Sequence, residues 1–183
     1  FDRFFPGPLT VILPKSDKIG KVVSGGLDTV AVRMPENPVA HRLLQLAGVP
    51  VAAPSANTSG LPSPTRAKYV QEDMNGKIAA IVDGGDCAYG VESTVITLAT
   101  PTPTLLRPGA VTKEMLEAEI GPIAVAPAVL EKMADGETAA SPGMKYKHYA
   151  PKADVTLLEG SFEQFKAYVD CLLYTSPSPR DRS

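Results

Sequence analysis

Cysteine is scarce, and its two copies, Cys87 and Cys171, stand far apart in the chain. That spacing excludes a disulfide framework and a cysteine-built metal site, and it points to a reducing, cytoplasmic setting. His148 has no second His or Cys at ligand spacing, which argues against a metal centre built on it. Charge of one sign is lacking as well: 18 Lys and Arg stand against 20 Asp and Glu, a formal net charge of -2. A balance so near neutral gives no bulk electrostatic attraction to nucleic acid or membrane. No apolar run reaches the length of a transmembrane helix. The glycine loops of P-loop and dinucleotide-binding proteins are missing, and so are GxSxG and HExxH.

What remains is ordinary globular material, 44% hydrophobic over 183 residues. It suffices for one domain with a core and part of another. Residues 9–13 (LTVIL) and 29–34 (TVAVRM) predict strands, and Asn37-Pro38 predicts a helix start with Asn as N-cap and Gly48 as its stop. Residues 49–53 and 78–82 are short apolar runs that predict two more strands, and Thr65 predicts the cap of a helix reaching Met74. Residues 93–98 and 104–106 predict strands around a proline-bearing turn. Thr112 predicts the cap of a helix over 113–120. The alternation predicts an α/β (α+β) fold, a mixed sheet with flanking helices.

From Gly121 the texture changes to Pro, Ala and Gly, which reads as a linker with a short helix near 128–134. It ends in SPGMKYKHYAPKA (141–153), where Lys145, Tyr146, Lys147, His148 and Tyr149 gather. Residues 155–158 and 162–169 then read as the strand and helix that begin something new. The domain expectation is therefore residues 1–120 as the main domain, 121–153 as linker and 154–170 as the start of a second domain. Residues 171–183 (CLLYTSPSPRDRS) fit neither a helix nor a strand pattern and read as a non-native tail. The chain opens mid-domain and looks incomplete at both ends.

The chemistry concentrates in PVAAPSANTSGLPSPT (50–65). Ser55, Asn57, Thr58, Ser59, Ser63 and Thr65 bring hydroxyls and an amide onto a loop stiffened by prolines. Such a loop after a strand serves either as a ligand wall or as a surface turn. Arg33 and Arg107 at strand ends suit bidentate pairing with a carboxylate or phosphate, or a surface ion pair. Ser93 and Thr94 open a strand behind a glycine, and Glu92 beside them reads as facing a metal or an amine, or as a solvated carboxylate. The basic-aromatic cluster suits stacking on a base or docking onto its own domain. These features describe a polar, partly cationic pocket for an anionic small molecule and name no reaction.

PGPLTVIL, TVAVRMP, PVAAPSANTSGLPSPT, GVESTVI and LLRPGA, in this order, closely resemble the YrdC-like family of L-threonylcarbamoyladenylate synthases. SPGMKYKHYAP resembles the linker of its two-domain members. The resemblance implies a twisted open sheet around a deep, positively lined cavity. It also implies condensation of ATP, L-threonine and bicarbonate to threonylcarbamoyl-AMP and pyrophosphate. A partner complex then passes the group to tRNA as N6-threonylcarbamoyladenosine. Mg2+ on the triphosphate is expected, with no protein-bound metal, no covalent nucleophile and no membrane. The resemblance places Thr29, Ser55, Asn57, Ser63, Arg107 and Tyr146 at ATP, and Arg33, Ala53, Ser93 and Thr94 at threonine. It also implies a missing N-terminal Lys/Arg-rich segment, so the chain as written is expected to be inactive and the whole protein active. The competing readings are a non-catalytic YrdC-like RNA- or nucleotide-binding module, and carbamoyl transfer of the hydrogenase-maturation type.

Overall fold

The β-branched run LTVIL forms β1 (Leu9–Pro14), which becomes an inner strand because it is apolar on both faces. Leu9 and Val11 belong to one buried cluster and Ile12 to another, as the two-residue period of a strand requires. The computed structural model describes residues 2–130 and 156–175. Its chain divides into two units, Phe1–Ala150 and Pro151–Ser183.

In the first unit, β1 pairs antiparallel with β2 (Thr29–Val32) and parallel with β3 (Thr94–Thr97). β3 pairs antiparallel with β4 (Thr104–Arg107), with a register shift at Val95/Ile96. The sheet is mixed, open and five-stranded, in the order β2-β1-β3-β4-β5, the last strand being Ala124–Val125. All four residues of β3 are buried, which makes it the centre of the fold.

Two helices obey their caps. In α1 (Pro38–Ala47), Asn37 Oδ1 accepts from the Val39 and Ala40 amides at 3.0 and 3.2 Å, and Gly48 closes the helix at φ 64°. In α3 (Lys113–Ile120), Thr112 Oγ1 accepts from the Met115 amide at 3.3 Å. Leu116 of α3 packs with Leu9, Val11, Ile96, Leu105, Val111 and Ile123 on one sheet face. The opposite face carries the smaller cluster of Ile12, Val95, Leu106 and Ala126.

Several expectations are corrected. Residues 49–53 and 78–82 are not strands: Val49 is 63% exposed and Val82 65%, and neither segment joins the sheet. An apolar run becomes a strand only where a neighbour offers its backbone partners. Between them, α2 (Ala67–Met74) starts at Arg66, which makes no side-chain cap, in place of the expected Thr65.

The linker reading fails at its start. Ala124–Val125 forms β5, parallel to β4, with Ile123 and Ala126 buried beside it. The short helix there is α4 (Pro127–Leu130), and the remainder of the expected linker, Tyr146 included, lies outside the described residues. In the second unit, residues 156–158 form no strand. α5 (Phe162–Thr175) continues through residues expected to lack a pattern. Cys171 and Leu172 fall on its last turns and are exposed.

Candidate functional site

The polar side chains of the site gather where β3 begins. Ser93 is buried, at 7% exposure, and its hydroxyl lies 2.8 Å from Thr10 Oγ1 on the neighbouring strand. Arg107, at the end of β4, donates from Nε and Nη2 to the Ser93 carbonyl at 3.0 and 2.9 Å. Nη2 also reaches Ser93 Oγ at 3.2 Å. Burial lowers the pKa of the Arg107 guanidinium; Glu92 opposes that effect and Arg33 adds to it. Two arginines therefore share one field with one carboxylate between the strands.

The 50–65 loop reaches this group through Ser63, whose hydroxyl donates to Glu92 Oε1 at 3.0 Å. Asn57 braces the same loop from within. Its Nδ2 donates to the Thr58 and Leu61 carbonyls at 3.0 and 2.9 Å, while its buried Oδ1 has no partner among the described residues. Gly60 takes φ 87° within that turn, a value that side-chain-bearing residues rarely adopt.

Of the expected residues, then, the structure brings together Ser63, Ser93 and Arg107, with Arg33 in electrostatic range of Arg107. Ala53 and Ser55 are exposed on the loop, and Thr29 is half-buried at the start of β2. Thr94 is a correction. It is 0% exposed, and its hydroxyl donates to the Val111 carbonyl at 2.6 Å and accepts from the Val111 amide at 3.1 Å. A side chain so enclosed and so engaged serves the core and cannot touch a ligand.

One neighbour in this group, Thr10, has no place in the sequence reading, and another, Glu92, differs from the solvated carboxylate it describes. Glu92 is half-buried and hydrogen-bonded, not a freely solvated carboxylate. Its signal was its position directly before a strand that is buried at every residue. Thr10 signalled itself as the one hydroxyl inside LTVIL, on the face that Ser93 shares.

Two open depressions lie elsewhere. One of about 520 Å3 follows Val39, Leu43 and Leu46 of α1, and one of about 340 Å3 lies between α2 and residues 78–87. Neither is lined by Ser93 or Arg107. Nor do the described residues hold any group of three or more His, Cys, Asp or Glu placed to bind a metal.

The profile of the Sua5/YciO/YrdC family, described as telomere recombination, matches residues 1–109, well over half of the chain. The chain belongs to this family. A second profile, described as the C-terminal domain of threonylcarbamoyl-AMP synthase, matches residues 111–177. That match spans β5, found where a linker was expected, and α5, which extends the helix expected over 162–169 into the expected tail.

Among curated relatives, the threonylcarbamoyl-AMP synthase of Pyrococcus abyssi is 53% identical over 171 residues, covering 93% of this chain and 50% of the relative. The threonylcarbamoyl-AMP synthase of Bacillus subtilis is 53% identical over 165 residues, covering 90% of this chain and 47% of the relative. The crystal structure of P. abyssi Sua5 complexed with L-threonine matches with a TM-score of 0.86 and 52% identity, over 94% of this chain and 50% of that one. The chain thus spans about half the length of the relatives it matches. The mixed open sheet is the fold of these family members.

Proposed function

We propose that the whole protein is an L-threonylcarbamoyladenylate synthase. It condenses ATP, L-threonine and bicarbonate to threonylcarbamoyl-AMP and pyrophosphate, in the cytoplasm, for tRNA N6-threonylcarbamoyladenosine formation through a transferase complex. The observation that carries this reading is the 53% identity to a threonylcarbamoyl-AMP synthase over nearly the whole chain, together with the fold of a family member complexed with L-threonine.

Arg33 holds the threonine carboxylate, with Ala53 and Ser93 lining the amino-acid side. Thr29, Ser55, Asn57, Ser63 and Arg107 form the nucleotide side, and Tyr146 closes on ATP from the segment before the second domain. Mg2+ arrives on the triphosphate as part of the substrate. The threonine carbamate attacks the α-phosphorus, its C–O–P bond forms as the bond to the bridging oxygen breaks, and pyrophosphate leaves with that electron pair. This chain's part is to orient two anionic reactants and offset their repulsion with Arg33 and Arg107, which is electrostatic and positioning catalysis.

Pyrophosphate release by the whole protein tests the reading, with threonine and bicarbonate each omitted in turn. Release that needs both supports it. Salt-dependent RNA affinity unaffected by Arg33→Ala, without pyrophosphate release, would replace it with a binding module.

A further inference from the structure

We propose that Glu92 is a positioning residue of this site, acting through Ser63: its carboxylate anchors the 50–65 loop to the start of β3. The inference rests on the reading of that loop as the nucleotide side of the pocket.

The argument begins with the contrast between the two partners. The backbone at residues 92–94 is held from every side. Arg107 grips the Ser93 carbonyl, Thr94 exchanges two hydrogen bonds with Val111, and the Thr94 amide donates to the Pro8 carbonyl at 3.0 Å. Gly109 packs so closely that a Cβ there would sit 2.6 Å from the Glu92 carbonyl oxygen. The 50–65 loop, by contrast, belongs to no strand or helix, and most of it is exposed. Its other ties include the Thr58 amide, which donates to Asp73 Oδ2 of α2 at 3.0 Å, and the Thr65 carbonyl at its far end, which accepts from the Cys87 amide at 2.9 Å.

The 3.0 Å bond from Ser63 Oγ to Glu92 Oε1 therefore transfers the rigidity of the sheet to the loop across 29 residues of sequence. A carboxylate only accepts, so Ser63 is the donor of this bond, and the bond holds Ser63 in place on the nucleotide side of the pocket.

Two measurements test this. In the whole protein, Glu92→Ala and Ser63→Ala should each raise the KM for ATP about tenfold or more, the value of one hydrogen bond to a charged group, with kcat changed less. The double variant should be no worse than Glu92→Ala alone, and Glu92→Gln, which keeps the acceptor, should restore KM to within about threefold. Additive effects, or a Gln variant as impaired as the Ala variant, would overturn the proposal. Backbone NMR order parameters for residues 58–65 give a readout independent of activity. They should fall from about 0.85 toward 0.6 in Glu92→Ala and stay high in Glu92→Gln. An unchanged loop in Glu92→Ala overturns the positioning role even in a protein that makes no threonylcarbamoyl-AMP, an outcome that sinks the functional reading separately.

Discussion

Arg107 grips Ser93 across the β3–β4 pair: Nε and Nη2 both donate to its carbonyl, at 3.0 and 2.9 Å, and Nη2 reaches its hydroxyl at 3.2 Å. An arginine expected to clamp an anion is thus also a clamp on its own backbone. Lysine carries the charge without the planar fork. Arg107→Lys should therefore lower stability by about 1–3 kcal/mol in urea unfolding, because a shielded carbonyl loses its donors. A wild-type midpoint in the Lys variant would show that the fork contributes nothing.

Thr94 and Val111 make a tighter knot. One hydroxyl satisfies both the amide and the carbonyl of Val111, at a position with 0% exposure. Thr94→Val keeps the shape and strands both backbone groups. The expected cost is about 1–3 kcal/mol for each buried group left unpaired, read from the denaturant midpoint. A neutral substitution would mean that Val111 finds other partners.

Gly109 is required by space. A Cβ there would lie 2.5 Å from the Thr94 amide nitrogen and 2.6 Å from the Glu92 carbonyl oxygen. Backbone atoms cannot move aside as a flexible side chain can. Gly109→Ala should cost about 1–3 kcal/mol or more and lower Tm measurably. By contrast, Gly20→Ala, at a site with open space around it, should leave Tm nearly unchanged.

Stability should also respond to acid through Glu117. The Lys113 side chain, then the Ile123 amide, hold its carboxyl below the usual carboxylate range. The Ile123 bond, at 3.2 Å, ties α3 to the residue before β5. A depressed folded pKa contributes stability that is complete above the unfolded value of about 4.3 and is lost as pH falls through the lower folded value. Glu117→Gln should flatten the fall in Tm between about pH 5 and pH 3. An equally steep fall in that variant would assign the acid sensitivity to other groups.

The legible parts of the fold were those that local chemistry decides. β1 was written in a run of β-branched residues, and α1 and α3 were written in Asn37, Gly48 and Thr112, whose caps need only neighbours in sequence. Residues 49–53 and 78–82 misled because their apolarity says nothing about whether a strand partner stands beside them. β5 hid because a two-residue strand among prolines and alanines carries no period, and its place is set by β4.

In the site, Ser93 and Arg107 come together in the structure, while Thr94 turns away from them into the core. Neighbours on a strand face opposite sides, so Ser93 faces Thr10 and Thr94 faces the core beneath Val111. Glu92 was undervalued because its partner, Ser63, is close only in space.

The central claim is that Arg33 and the Ser93–Arg107 group serve one adenylate-forming reaction. Its most direct measurement supplies the whole protein with ATP, threonine and 13C-bicarbonate and follows the AMP product by mass spectrometry. The account predicts a threonylcarbamoyl-AMP that carries one 13C, and an Arg33→Ala variant whose KM for threonine rises about tenfold to a hundredfold, as loss of a bidentate carboxylate pair requires. An AMP product without the label, or an Arg33→Ala variant with wild-type threonine KM, would contradict it.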